Sequence, residues 1–118
     1  MKADFSKLDV GDKTYYVSHR LLSWWDADAA CKALGREGLV EVDDLINGWN
    51  GGYDSNPHEF TDLGKALQSH YGTGWFIWIN NLTDGVNSCY AYGVDLNDGN
   101  VYDYVARSDY YFYYAVCR

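Results

Sequence analysis

Hydrophobic and polar residues follow two different periods along the chain, and each change of period marks a predicted element. Residues 13–18 alternate loosely between polar and apolar side chains, which favours a strand. From Ser23 onward the apolar residues recur every three to four positions, as in a helix with one buried face. The residues of that face are Trp24, Ala27, Cys31 and Leu34. Ser23 is a suitable N-cap with Asp26 three positions later, and Gly35 can end the helix.

A second helix is predicted in the middle of the chain, after a short apolar segment at 39–42 and a brief helical turn at 43–46. Residues 47–56 are rich in Gly and Asn, which is typical of a loop. Asn56 is the predicted cap, Pro57 suits the first helical position, and Glu59 completes a capping box. One face of this helix carries Phe60, Leu63, Leu67 and Tyr71, with Gly72 or Gly74 as the stop.

The C-terminal third has the pattern of β-structure. The predicted strands are 75–79, 90–96, 101–105 and 110–117. Residues 80–88 are rich in turn formers, and Asn97-Asp98-Gly99 is a hairpin signal. The order of strand, helix, helix and antiparallel meander predicts an α+β class, with two helices packed on a twisted antiparallel sheet. We expect residues 1–118 to form a single domain, since 118 residues is an ordinary domain length.

Charge and composition exclude several classes of function. The chain has 9 basic and 17 acidic residues, and a net charge of −8 disfavours nucleic acid as a partner. No apolar stretch approaches the roughly 20 residues of a membrane span, so we expect no direct membrane insertion. No signal peptide precedes Asp4, so an exported protein would have to include more than this sequence.

The residues that could carry metal or catalytic chemistry do not form a recognisable motif. These are Cys31, Cys89, Cys117, His19, His58 and His70, and their spacing matches no zinc pattern. Spacing alone leaves open one disulfide with one free thiol or three buried thiols. No Gly-x-Ser-x-Gly or comparable nucleophile signature occurs. We therefore expect neither a cofactor nor an enzyme.

Four segments together resemble the C-type lectin-like domains. The first helix reads S-W-W-D-A-D-A-A-C-K-A-L-G (23–35), and the last strand reads Y-Y-A-V-C-R (113–118). The segments G-L-V-E-V-D-D-L (38–45) and Y-A-Y-G-V-D-L-N-D-G-N-V-Y (90–102) are similar to a short bacterial version of the fold. That version occurs at the C-terminal ends of surface adhesins, in fimbrial-type proteins and in the variable proteins of diversity-generating retroelements.

The resemblance implies a disulfide between Cys31 and Cys117, and it leaves Cys89 as a lone thiol. It also draws attention to a missing feature. Calcium-dependent lectins carry Glu-Pro-Asn or Gln-Pro-Asp and then Trp-Asn-Asp, and none of these tripeptides is present here. The polar hairpin residues Asp95, Asn97, Asp98 and Asn100 could suggest another calcium loop, but a tight turn explains them more simply. We therefore expect no metal.

Aromatic residues are the remaining candidate chemistry, since they make up 18% of the chain and eight of the twelve Tyr lie between Tyr90 and Tyr114. Tyr and Trp give large contact areas at little entropic cost, and Asn and Asp add adaptable hydrogen bonds. The predicted ligand-binding residues are Trp78, Asn80, Asn81, Asp84, Tyr102, Tyr104, Arg107, Asp109 and Tyr110. We expect an extracellular or cell-surface module that binds a glycan or protein. The alternative is a structural tip or assembly module of a pilus or fibre, which would self-associate through its Tyr-rich face.

Overall fold

The computed structural model describes residues 4–82, 90–108 and 112–118, and it confirms the α+β class. Its elements in chain order are β1 (Phe5–Val10), β2 (Lys13–Leu21), α1 (Trp24–Ala33), α2 (Val42–Leu45), α3 (Asp62–Tyr71), β3 (Phe76–Leu82), β4 (Tyr90–Asp95), β5 (Val101–Ala106) and β6 (Tyr113–Cys117). The predicted brief helical turn at 43–46 is α2, shifted by one residue.

The six strands form one mixed sheet in the order β1-β2-β6-β3-β4-β5. Strands β3, β4 and β5 are the predicted meander, but β6 does not lie beside β5. It lies between β2 and β3, antiparallel to the first and parallel to the second, so the prediction of a wholly antiparallel sheet was wrong. Strand β6 lies at the centre because its side chains are buried on both faces of the sheet. Four of its five residues are buried, which is typical of a central strand.

Helices cover both faces of this sheet. Helix α1 packs on one face, in a cluster that includes Ala27, Cys31 and Ala115. Helices α2 and α3 pack on the other face, where Leu45 and Leu67 belong to a second cluster. We call these the α1 face and the α3 face of the sheet.

The ends of helix α1 follow the sequence prediction. The Ser23 side-chain oxygen accepts a hydrogen bond from the backbone N–H of Asp26 at 3.2 Å. At the other end Gly35 has a φ of +78°, a conformation that favours glycine and turns the chain out of the helix. Cys31 in α1 forms a disulfide with Cys117 in β6, with Cα atoms 5.4 Å apart, which confirms the predicted pairing.

The N-cap of helix α3 lies five residues after Asn56, the N-cap that the sequence predicted. Its N-cap is Thr61, whose hydroxyl accepts from the N–H of Gly64 at 3.2 Å and donates to the carbonyl of Asp44 at 2.6 Å. The caps predicted at Asn56, Pro57 and Glu59 were therefore wrong. The cause is tertiary, because the N–H of His58 donates to the carbonyl of Asp98 and holds this segment against the β4–β5 turn.

Strand β1 was not predicted from the sequence. It forms a hairpin with β2 through a turn at Gly11, which has a φ of +62°. The predicted turn at 97–99 is confirmed, since the N–H of Gly99 donates to the carbonyl of Asp95 at 2.8 Å.

Candidate functional site

The structure describes four of the nine predicted site residues in full. These are Trp78, Asn80, Tyr102 and Arg107. Asn81 in β3 and Tyr104 in β5 are described by their backbone alone. Asp84, Asp109 and Tyr110 lie outside the described residues.

Trp78 is a core residue, so the prediction that it belongs to an exposed ligand-binding surface was wrong. Its side chain is fully buried, and the indole Nε1–H donates to the carbonyl of Leu22 at 2.7 Å. Its ring stacks on that of Tyr113 with centroids 4.1 Å apart. Trp78 therefore supports the Tyr113 ring from within the core, and its own side chain is not accessible to a ligand.

Arg107 is also buried, with 1% of its surface exposed, so its place on an exposed surface must be corrected too. The guanidinium carbon lies 4.5 Å from the ring centroid of Trp24 and 4.6 Å from that of Trp25. The Nε–H donates to the carbonyl of Tyr90 at 3.2 Å. The guanidinium packs against both indoles, which also contact each other edge to face, and Trp25 remains half-exposed.

Tyr102 lies in a continuous series of aromatic contacts that runs from the core to the surface. Its ring centroid is 5.9 Å from that of Tyr53 and 5.5 Å from that of Phe76. Phe76 in turn contacts Tyr113 at 5.2 Å, and Tyr113 stacks on Trp78. We call these five residues the aromatic row. Its outer end is Tyr53, which is 55% exposed.

A glycine makes room for the aromatic row. Gly93 in β4 is the cross-strand partner of Tyr102, and a Cβ atom at this position would lie 2.7 Å from Cε1 of Tyr113. Any side chain at Gly93 would therefore displace the Tyr113 ring that joins Phe76 to Trp78. The β4–β5 register also shifts between Ala91 and Gly93, as expected where a bulge redirects side chains.

Tyr53 is held in place by the loop that follows it. Asp54 exchanges backbone hydrogen bonds with Val101 at 2.9 and 2.8 Å, which fixes this loop to strand β5. The Asp54 carboxylate lies 2.9 Å from His58 Nε2, and His58 Nδ1 donates to the carbonyl of Gly99 at 3.0 Å. The backbone hydrogen bonds and the contacts of the His58 ring together keep Tyr53 beside Tyr102.

Asp54 itself is stabilised in its ionised form. The pKa of its carboxyl is lowered, first by the hydrogen bond from the backbone N–H of Asn56 and also by the charge of His58. The negative charge of Asp54 is thus part of the native loop.

Sequence reasoning missed Tyr53, Phe76 and Trp25. Tyr53 lies in the Gly- and Asn-rich segment at 47–56, where it and Trp49 are the two aromatic residues and neither belongs to a predicted helix or strand. Large aromatic side chains in a predicted loop were the available signal. Trp25 stands next to the buried Trp24 in α1, so helical periodicity already placed it off the buried face.

Asn80 is exposed. It lies near the C-terminal end of β3, whereas Phe76 begins this strand. Four residues of extended chain separate the two positions by about 13 Å. Its backbone N–H donates to the carbonyl of Val40 at 2.8 Å. The structure therefore brings Tyr102 together with the aromatic row and places Asn80 apart from it.

The polar turn between β4 and β5 is explained by its own hydrogen bonds. The Asp95 carboxylate accepts from the N–H of Asn97 at 2.9 Å, and that of Asp98 accepts from the N–H of Asn100 at 3.0 Å. Burial raises the pKa of Asp95. Within residues 4–82, 90–108 and 112–118, no group of three or more metal-ligating side chains is present.

A surface cleft lies away from the aromatic row. It has a volume of about 400 Å³ and is lined by both basic and acidic side chains, including Lys13, Arg36, Glu37, Asp44 and Arg118. Arg118 pairs with Glu37, Glu41 and Asp44 at 3.4 to 3.6 Å. Because these charges compensate one another, the cleft has no clear preference for an anion or a cation.

None of the helices in the described part of the chain is long and apolar enough to cross a membrane. Comparisons with protein-family models, with curated proteins and with solved structures gave no significant match.

Proposed function

We propose that this chain is a C-type lectin-like domain of the short bacterial type, which binds a glycan or protein on a cell surface through the outer end of its aromatic row. The fold assignment is supported by the disulfide between Cys31 in α1 and Cys117 in β6, which is the pairing that the sequence resemblance implies. It is also supported by the α+β arrangement of three helices and one mixed sheet.

The aromatic row is the observation that carries the binding function. Tyr53 is exposed, whereas Phe76 and Tyr102 are half-buried behind it and rest on the buried pair Tyr113 and Trp78. Rings that are already fixed by the core lose little entropy when a ligand packs against them. A surface of this kind binds the C–H face of a sugar ring or an apolar side chain equally well.

The proposed binding is independent of calcium and does not involve catalysis. The hydrogen bonds within the β4–β5 turn already engage Asp95 and Asp98, the carboxylates that a calcium loop there would need. Nothing in the aromatic row is a nucleophile with an adjacent base, so recognition is the chemistry that its side chains support best.

A glycan array tests this proposal, with the domain multimerised through a biotin tag so that weak sites become detectable. The array is run with and without EDTA. We expect reproducible hits that survive EDTA and that fall by at least about tenfold in Tyr53→Ala and Tyr102→Ala, because each change removes an aromatic anchor worth about 1.4 kcal/mol or more.

Tyr90→Ala is the matched control. Tyr90 is 41% exposed, and strand alternation places it with Tyr92 and Val94, on the opposite face from Ala91 and Gly93. Hits that Tyr53→Ala leaves unchanged would contradict the aromatic row as the site, and hits lost in EDTA would contradict calcium independence. A blank array would exclude the glycan and leave protein receptors or fibre assembly as the ligand class.

A further inference from the structure

Strand β1 forms one edge of the sheet, and no other described strand pairs with its outer side. Its register with β2 runs without a shift over its full length, whereas the β2–β6, β3–β4 and β4–β5 pairs each contain an irregularity. The opposite edge, β5, is partly covered by the backbone hydrogen bonds between Asp54 and Val101. A regular edge with no described strand beside it presents N–H and C=O groups that can pair with another strand.

The side chains of β1 favour one particular partner. Lys7 and Asp9 are both exposed, and they lie on the same face because side chains two residues apart in a strand point the same way. Leu8 lies between them on the α3 face, half-buried against the cluster under α3. Edge charges usually prevent strand addition, but two opposite charges at this spacing are complementary to a second, antiparallel copy of themselves.

Only one symmetric register produces that complementarity. When a two-fold axis perpendicular to the sheet passes through Leu8, Lys7 of each copy faces Asp9 of the other, so two opposite-charge pairs form. An axis through Lys7 places Lys7 opposite Lys7, and an axis through Asp9 places Asp9 opposite Asp9. A parallel in-register pair brings both sets of like charges together, which is destabilising.

We propose that β1 is a self-pairing edge, through which two copies of this chain form an antiparallel dimer with one continuous sheet. The Lys7–Asp9 pairs lie on the α1 face, and Leu8 meets Leu8 on the α3 face. A hydrogen bond from the Thr14 hydroxyl to the Asp9 carboxylate, at 2.6 Å, already holds this carboxylate on the β1–β2 hairpin. The dimer leaves the aromatic row outside its interface and would present two copies of that surface.

The test is light scattering coupled to size-exclusion chromatography, over a series from low micromolar to near-millimolar protein at physiological salt. We expect the wild-type mass to rise from 13.5 kDa toward twice that value. Lys7→Asp and Asp9→Lys should each self-associate at least about tenfold more weakly, because two attractive cross-strand pairs become two repulsive pairs. An equimolar mixture of the two variants should form heterodimers, because the chain with two acidic side chains on this edge then faces a chain with two basic ones.

Lys65→Asp is the control for net charge, since Lys65 is an exposed cation on α3 and the substitution changes the charge by the same amount as Lys7→Asp. It should dimerise as the wild type does. Circular dichroism of each variant verifies that it is folded.

Three outcomes would overturn the proposal. The first is a wild type that stays monomeric over the whole series, and the second is self-association that neither charge reversal weakens. The third is a dimer that Tyr102→Ala abolishes and Lys7→Asp does not, which would place the interface at the aromatic row.

Discussion

Asp54 and Asp95 lie on either side of strand β5, and their surroundings change their carboxyl pKa values in opposite directions. The backbone N–H of Asn56 lowers the pKa of Asp54, with a further contribution from His58. Burial raises the pKa of Asp95, and the nearby charge of Asp98 adds to this effect. The sign of each change determines how the carboxyl contributes to stability as the pH falls.

The two carboxylates should therefore respond differently to neutralisation. A lowered folded-state pKa means that Asp54 stabilises the fold above its unfolded pKa, and that this contribution is lost as the pH falls through the folded value. A raised pKa means that Asp95 destabilises the fold while it is ionised, and that protonation relieves this cost. Between about pH 7 and pH 3 we expect Asp54→Asn to lose less thermal stability than the wild type, and Asp95→Asn to lose more.

Thermal unfolding followed by circular dichroism across this pH range measures both effects. Asp54→Asn should also have the lower melting temperature at neutral pH, whereas Asp95→Asn should be unchanged or slightly higher there. If both variants gave the same pH dependence, the opposite effects assigned to the two environments would be incorrect.

At the scale of elements, the contact between helices α2 and α3 depends on a residue without a side chain. Gly64 is buried in α3, and a Cβ atom there would lie 2.4 Å from the carbonyl oxygen of Leu45 and 2.7 Å from a ring carbon of Phe60. A backbone oxygen cannot move away without shifting α2. The close approach of the two helices thus depends on this single position.

Gly64→Ala should destabilise the protein by about 1–3 kcal/mol, since overpacking forces neighbouring backbone to move. Gly74→Ala is the matched control, because its Cβ would meet no atom within 4 Å and its φ is not in the left-handed region. That control should be neutral or stabilising by less than about 1 kcal/mol. Urea denaturation measures both, and equal midpoints for the two variants would contradict the close contact.

At the scale of the whole molecule, the disulfide joins parts of the chain that are far apart in sequence. Cys31 and Cys117 are 86 residues apart, and both are fully buried. The bond connects α1 to the central strand β6, which itself lies between the N-terminal strands and the meander. It therefore closes most of the chain into one loop.

Removing this bond should strongly destabilise the fold. A loop of this length corresponds to about 4–5 kcal/mol in the chain-entropy model, so we expect Cys31→Ala/Cys117→Ala to lose a comparable or somewhat smaller amount of unfolding free energy. Denaturation of the wild type with and without a reductant provides the independent comparison. A reduced wild type as stable as the oxidised one would show that the bond contributes little.

The sequence by itself determined the features that depend on neighbouring residues. Ser23 caps α1 because its hydroxyl needs only the N–H of Asp26, three residues away. The 97–99 turn forms because Gly99 adopts a positive φ that its own sequence allows. The pairing of Cys31 with Cys117 was also available from the sequence, through its resemblance to a known fold.

Only the tertiary structure decided the features that depend on distant partners. Asn56 has the chemistry of a cap, yet the N-cap of α3 is Thr61, because His58 is already bonded to the turn at Asp98. Arg107 has the chemistry of a surface residue, yet it is buried against two indoles from α1. Periodicity shows which face of an element is apolar, but it does not show which other element will cover that face. For this reason the aromatic residues were evident from the sequence, whereas their order from Trp78 to Tyr53 emerged only when strands β3, β4, β5 and β6 were assembled.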